Sequence, residues 1–341
     1  MNGRIFAAYA ASCLYAVSDD DVPRVQQNVQ TFQTSGLNTL ILGLFHIGRD
    51  FDIEPKQVLG DIYFNDTLVF SNGDYVGYGS APGAATSWGK LVASLASGGA
   101  IAMTLASIGG ASDVIYDFRA IQKIYESNNG SFEGTNLQRN FVRLRSVLPT
   151  VGIIDMDNEE TYTASRESFT AFCQMIARIG FGITFCPYAD TAFWTDSLKV
   201  LSSSNPGAVK WWNLQAYAGG TDNDPQGWAQ AISKAIPNFD TTGYIVGSDW
   251  SRFYNTASQD WEGDFPFSTC PGGSVYSLFK SWAGESAIGG GFLWNADQVF
   301  NYEADIRKYG PDPCYDSSGG SMAQYVSAMV TALGGKAGLS P

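Results

Sequence analysis

Short runs of apolar residues recur along this chain, and between them apolar positions fall every three or four residues. Runs of the first kind suit strands covered on both faces, and the second spacing suits helices with one buried stripe. Residues 5–10 (Ile-Phe-Ala-Ala-Tyr-Ala) predict a strand. Residues 21–34, with Val22, Val25, Val29 and Phe32 in step, predict a helix that stops at Gly36. Residues 38–47 are too apolar to alternate and predict a second covered strand. In the irregular segment 49–87, Ile62 to Phe70 and an Asn72-Gly73 turn predict a hairpin inserted at one end of the sheet.

The same alternation continues to the end. Helices are expected over 88–96, twice within 113–148, and over 165–179, 190–203, 226–236 and 274–283, with a closing helix over 321–333. Strands are expected over 100–107, from Val151, and over 181–188, 209–217, 243–248 and 289–294. Eight strands alternating with helices predict an α/β fold, a (β/α)8 TIM barrel. It would be a single domain over 1–341 with the barrel at about 4–300 and an inserted hairpin after strand 2. Functional residues of such a barrel gather at the carboxyl ends of its strands.

Residues 91–110 carry no charge over the nominal length of a membrane span. The Gly98-Gly99 pair within them predicts a helix end, a turn and a strand instead. A net charge of −13 with only 20 Lys and Arg argues against a nucleic-acid groove and favours a neutral ligand. Five cysteines (Cys13, Cys173, Cys186, Cys270, Cys314) are widely spaced and odd in number. They predict neither a zinc knuckle nor a dense disulfide framework, and leave at least one thiol unpaired within the chain. His46, the sole histidine, excludes multi-histidine metal sites and reads as a packed or mouth-lining residue at a strand end. Residues 1–9 contain no long apolar stretch followed by a cleavage site, so no secretory signal is expected. No membrane partner is expected, and a monomer is.

The chemistry concentrates after Pro149. In Val151-Gly-Ile-Ile-Asp-Met-Asp-Asn-Glu-Glu160 the acids Asp155, Asp157 and Glu159 alternate, so a strand would send all three from one face. Like charges at about 7 Å spacing repel, and a shared, retained proton is the usual resolution, which makes one carboxyl a general acid. The alternatives are a solvent-facing acidic strand end and a divalent-cation site, although calcium loops draw ligands from irregular, glycine-bearing turns. Glu160 points away by the same alternation and reads as a surface or helix-start acid.

The expected barrel mouth also carries Tyr9, His46, Ser107, Tyr188, Gln215, Tyr217, Asp249, Trp250 and Trp294. Aromatic faces stack on sugar rings while amides and carboxylates take hydroxyls, so this mixture suits a neutral saccharide. Trp211 and Trp212, early in their strand, are expected in the core. The loop 251–271, with Trp261, is expected to wall the cleft.

Three ordered motifs resemble glycoside hydrolase family 18, the chitinases and endo-β-N-acetylglucosaminidases. Ser107-Ile108-Gly109-Gly110 resembles the family's S-x-G-G, residues 152–159 resemble D-x-x-D-x-D-x-E, and Gln215-Ala216-Tyr217 resembles Q-x-Y; Trp294 stands at the strand-eight tryptophan. The first acid of the long motif is Gly152 here, which bears on strand packing more than on catalysis.

The resemblance implies retaining hydrolysis, without metal or cofactor, of a β-1,4 bond next to N-acetylglucosamine, in which the substrate supplies its own nucleophile. Glu159 would protonate the glycosidic oxygen. Asp157 would orient the acetamide, with Asp155 behind it sharing a proton, and Tyr217 and Gln215 would hold the acetamide oxygen over a floor of Trp294. Tyr9, Ser107, Tyr188, Asp249 and Trp250 would be further substrate contacts. The partner implied is an N-acetylglucosamine-containing oligo- or polysaccharide. About forty residues separate Trp250 from Gly289, too few for the α+β insertion of long processive clefts, so a shallow site is expected. The alternatives are a lectin-like, inactive saccharide binder on the same barrel, and an unrelated barrel enzyme using a divalent ion.

Overall fold

The computed structural model describes residues 3–15, 19–49, 57–76, 82–97, 101–111, 116–160, 164–268, 273–315 and 320–335. Eight parallel strands close into a barrel: Ile5–Ala10, Thr39–Ile47, Met103–Gly109, Val151–Asp157, Gly182–Phe185, Val209–Leu214, Ile245–Trp250 and Ile288–Trp294, numbered first to eighth. The seam lies between the first and eighth strands, where Ile5 faces Gly290 and Ala7 faces Phe292. Its closeness demands glycine, because a Cβ on Gly290 would lie 1.9 Å from the carbonyl oxygen of Ile5.

Alternation along the strands sorts side chains into two apolar layers. Ile5, Ala7, Tyr9, Ile41, Leu105, Ile153, Trp211, Val246 and Phe292 fill the barrel interior. Their neighbours, among them Phe6, Leu42, Ile154, Phe185 and Trp212, face the surrounding helices. Trp211 and Trp212 are both core residues, on opposite sides of one strand. Gly152 is part-exposed and faces open space, since an added Cβ would meet nothing within 4 Å, so the missing acid takes no packing contact from either layer.

The insertion after the second strand is a three-stranded meander, Ile62–Phe64, Thr67–Ser71 and Asp74–Tyr75. It extends the sheet antiparallel from the second strand, with His46 opposite Tyr63. Its two turns put Asn65, Asn72 and Gly73 at positive φ, where asparagine and glycine are tolerated. The uncharged stretch resolves into the end of helix Pro82–Ser94 and the third strand, while Gly98 and Gly99 lie outside the described residues. That helix starts earlier than its apolar spacing predicts. No helix among the described residues is long and apolar enough to cross a membrane.

Three expectations change. The fifth and sixth strands end early, at Phe185 and Leu214, which leaves Tyr188, Gln215 and Tyr217 on the loops just beyond them. A helix not expected, Ala296–Tyr309, follows the eighth strand, closed at its start by a reciprocal capping box between Asn295 and Gln298. Its apolar positions are sparse and only Ala296 and Tyr302 are buried, so the periodic signal is weak. The loop after the seventh strand does not bring Trp261 to the cleft. Phe253–Asn255 pairs with Asp260–Glu262, and Trp261 packs edge-on to Tyr302 at 5.4 Å.

Behind that hairpin, Arg252 donates two hydrogen bonds of 2.8 Å to Asp312, which also accepts one from the Tyr302 hydroxyl at 2.9 Å. Cys314, next to this pair, is disulfide-bonded; Cys270 lies outside the described residues, and Cys13, Cys173 and Cys186 are free and buried.

Candidate active site

The fourth strand carries Asp155 and Asp157 inward, and Glu159 follows two residues past its end. Asp155 is wholly buried and accepts four hydrogen bonds. Tyr9 (2.6 Å) and Ser107 (2.8 Å) donate to Oδ2, and Thr184 (2.6 Å) and Asn213 (2.9 Å) donate to Oδ1. One residue each from the first, third, fifth and sixth strands therefore converges on one carboxylate, and all four of its acceptor positions are taken.

Asp157, 3% exposed, accepts from Gln215 Nε2 at 3.0 Å. The same amide lies 3.3 Å from Glu159 Oε1, so Gln215 bridges the two acids. Burial pushes all three carboxyls above the ordinary range. For Asp155 the four donors oppose burial, whereas for Asp157 the charges of Glu159 and Asp155 add to it and drive it well up. Burial and like charge thus favour a proton retained in this cluster, most strongly at Asp157. All four acceptor positions of Asp155 are occupied. That saturation also leaves Asp155 no lone pair for a metal ion.

Above these acids opens a cleft of about 430 Å³ lined by Asp157, Glu159, Tyr188, Gln215, Tyr217, Trp250 and Trp294, with Leu44 and Gly110 opposite. Trp294 and Tyr217 lie nearly parallel at 23°, 6.3 Å between centroids, and Trp250 leans on Tyr217 at 5.7 Å. The Tyr217 hydroxyl makes no hydrogen bond among the described residues. Burial and the nearby Cys186, Asp157 and Glu159 push its pKa well up, so it stays a donor across the neutral range. Among the described residues no Lys, Arg or His lines the cleft. The chemistry available is proton donation from Glu159 into a half-buried aromatic slot.

Three expected substrate contacts lie elsewhere. Tyr9 and Ser107 are 1% and 0% exposed and outside the cleft lining; their hydroxyls serve Asp155, and the Tyr9 ring supports Trp294 edge-on at 5.0 Å. Asp249 is buried beneath the hairpin that follows the seventh strand. Its Oδ1 accepts from the Trp250 N–H, its Oδ2 has no partner among the described residues, and burial with the nearby Asp264 charge pushes it well up. Alternation explains the difference, since Trp250 takes the inward position and Asp249 the outward one.

Thr184 and Asn213 were missed in the sequence. Thr184 sits four residues before Tyr188 and Asn213 two before Gln215, in phase with those expected mouth residues, and inward polarity in mid-strand is the signal that would have found them. His46 is part-buried at the end of the second strand, its Nδ1 2.9 Å from Asp117 Oδ2. Burial opposes its charge, but Asp117 outweighs burial and its pKa is raised.

Glu160 turns away from the cleft and caps the helix Asp117–Ser127, accepting from the Phe118 and Arg119 N–H groups at 2.9 and 3.2 Å. It is a helix-start acid, of a neighbouring helix and half-buried rather than on the surface. Burial raises its pKa from 4.5 to about 7 despite those donors. Between these values the folded chain keeps a proton that the unfolded chain has released, so stability falls as pH rises through that window. Glu160→Gln is expected to flatten the decline in Tm between about pH 5 and about pH 7. An unchanged slope in thermal melts would contradict this.

No protein-family model and no curated protein matches the chain. Solved structures do. A GH18 chitinase from the chitin utilization locus of Flavobacterium johnsoniae is 8% identical, with 97% of this chain and 95% of that one covered at a TM-score of 0.55. Active domain 2 of a thermostable chitinase from Pyrococcus furiosus, solved as catalytic-site mutants complexed with chito-oligosaccharides, is 9% identical, with 98% and 96% covered at a TM-score of 0.55. At such identities the likeness shows the architecture, and the chain is a (β/α)8 barrel of the kind those two chitinases share.

Proposed function

We propose that this protein is a retaining glycoside hydrolase that cleaves β-1,4 bonds next to N-acetylglucosamine with the help of the substrate's own acetamide. One observation carries the reading. The Glu159 carboxyl lines an aromatic cleft and is tied through Gln215 to Asp157, whose pKa stands well above the ordinary range. Its supports are the ordered motifs and the barrel shared with the two chitinases.

In this mechanism a sugar rests against Trp294, beside the packed pair Tyr217 and Trp250. Glu159 gives its proton to the glycosidic oxygen as the C1–O bond breaks, and the acetamide carbonyl oxygen forms a new bond to C1. The resulting oxazolinium ion carries the positive charge, which Asp157 stabilises while holding the acetamide nitrogen. Asp155 acts from behind as a fixed, fully hydrogen-bonded charge. Tyr217 donates its unused hydroxyl to the acetamide oxygen, and Gln215 keeps the two acids in register. Water then attacks C1 as the bond from C1 to the acetamide oxygen breaks and the oxazolinium ring opens to the acetamide; the water gives one proton to Glu159, which restores the enzyme and the original anomeric configuration.

A cleft lining without Lys, Arg or His among the described residues suits a neutral saccharide better than a phosphorylated or carboxylated one. The test is to incubate the protein separately with chito-oligosaccharides and with a high-mannose glycoprotein, then weigh the products. Fragments ending in N-acetylglucosamine, released first as the β-anomer, are the expected result. Binding without cleavage of either substrate would leave the lectin reading in its place, and neither binding nor cleavage would overturn both.

A further inference from the structure

The barrel has a second opening, at the amino-terminal ends of its strands and away from the acids. A cavity of about 750 Å³ lies there, against about 430 Å³ for the cleft. The interior of such a barrel is ordinarily filled by stacked layers of side chains. Here the entry to the seventh strand and the start of the eighth add none at Gly243 and Gly289, which pack backbone to backbone. A Cβ on Gly289 would lie 2.1 Å from the Gly243 carbonyl oxygen. The cavity therefore reaches Ile153 and Trp211, which belong to the packed interior layer below Asp155.

Its walls are of two kinds. Met103, Ile153, Trp211 and Ile288 offer an apolar surface. Arg4 and Lys210 add two cations against one acid, Glu285, among the described residues. That balance is the reverse of the chain as a whole, whose net charge is −13. Neither cation is in an ion pair among the described residues. Lys210 Nζ donates to the Gly207 carbonyl at 2.8 Å, and its remaining protons are left for a ligand. Arg4 Nη1 is buried without a hydrogen-bond partner among the described residues, and burial pulls the pKa of its guanidinium down. A buried cationic donor without a partner is costly, and an anion beside it removes that cost.

Trp211 connects this cavity with the acid cluster. Its indole N–H donates to Asn213 Oδ1 at 2.8 Å, and Asn213 Nδ2 donates to Asp155 Oδ1 at 2.9 Å. Both residues are buried, Asn213 completely. A shift of the indole therefore moves one of the four donors that hold Asp155.

We propose that the amino-terminal mouth of the barrel is a second binding site, for a small organic anion with an apolar or aromatic body, and that Asp155 senses its occupant through Trp211 and Asn213. The body rests on Trp211 and Ile153, and the anionic end pairs with Arg4 and Lys210. The site stands apart from the hydrolase reading, because binding and the response of Asn213 are both measured without a sugar substrate.

Heteronuclear NMR spectra test this by following the Trp211 indole N–H and the Asn213 side-chain amide, with Trp211→Phe identifying the indole signal. The probes are phenylacetate, phenylethanol and phenylethylamine, which share a body and differ in charge. Phenylacetate is expected to move both signals to saturation and to bind about tenfold tighter than the alcohol, with the amine weakest. Thr242→Trp, at an exposed position on the lining, fills the cavity and abolishes the response. Arg4→Gln combined with Lys210→Gln removes the preference for the anion. No saturable shift with any probe overturns the site, and so does a response that survives Thr242→Trp. Equal or tighter binding of the alcohol or the amine overturns the anionic ligand. An indole signal that moves while the Asn213 amide stays fixed overturns the link to Asp155.

Discussion

Glu159→Gln is expected to lower kcat on N-acetylglucosamine oligomers by on the order of a thousandfold or more, with substrate affinity largely kept. The substitution preserves shape and keeps an acceptor for Gln215, but it removes the one exchangeable acidic proton that reaches the leaving oxygen. The cleft offers no substitute. Asp157 is deeper and 3% exposed, Glu160 caps a helix outside the barrel, and no Lys, Arg or His among the described residues lines the site. Titration calorimetry with a chito-oligosaccharide alongside turnover assays would separate the two quantities. Turnover within tenfold of wild type, or affinity lost together with kcat, would show that Glu159 is not the acid.

The second large effect falls on stability. Asp155→Ala removes the acceptor for Tyr9, Ser107, Thr184 and Asn213 at once, and none of these reaches water where it stands. A buried donor left without a partner costs about 1–3 kcal/mol. Removing a buried charge recovers part of that, since burial raises the pKa of Asp155 and its ionised form is costly at neutral pH. The expected net loss is about 3 kcal/mol, read from the denaturant midpoint at constant m. Asp155→Asn should fall between, because its amide turns donors toward donors. A variant as stable as wild type would mean that the four hydroxyl and amide groups find other partners.

The architecture was legible because a parallel barrel repeats one signal eight times, and an error at one element leaves the others intact. The helix Ala296–Tyr309 escaped because its buried positions are few, and local periodicity reports only what is buried. Within the site, alternation placed Asp155 and Asp157 correctly, since they lie on the strand itself. It misjudged Tyr9 and Ser107, because a strand pattern gives the face a side chain takes but not its depth along the barrel. Both stand one layer below the opening, where a hydroxyl meets a buried carboxylate instead of a ligand. The four donors that meet at Asp155 come from four separate strands, and no local spacing encodes their meeting.

The seam that joins Ile5 to Gly290 has a consequence for biogenesis. The amino-terminal strand is made first but finds its second neighbour only when almost the whole barrel has left the ribosome. Until then the growing sheet has two open rims of unpaired amide and carbonyl groups, a template for other nascent chains. Closure over so long a loop makes folding a late, slow event governed by non-local pairing.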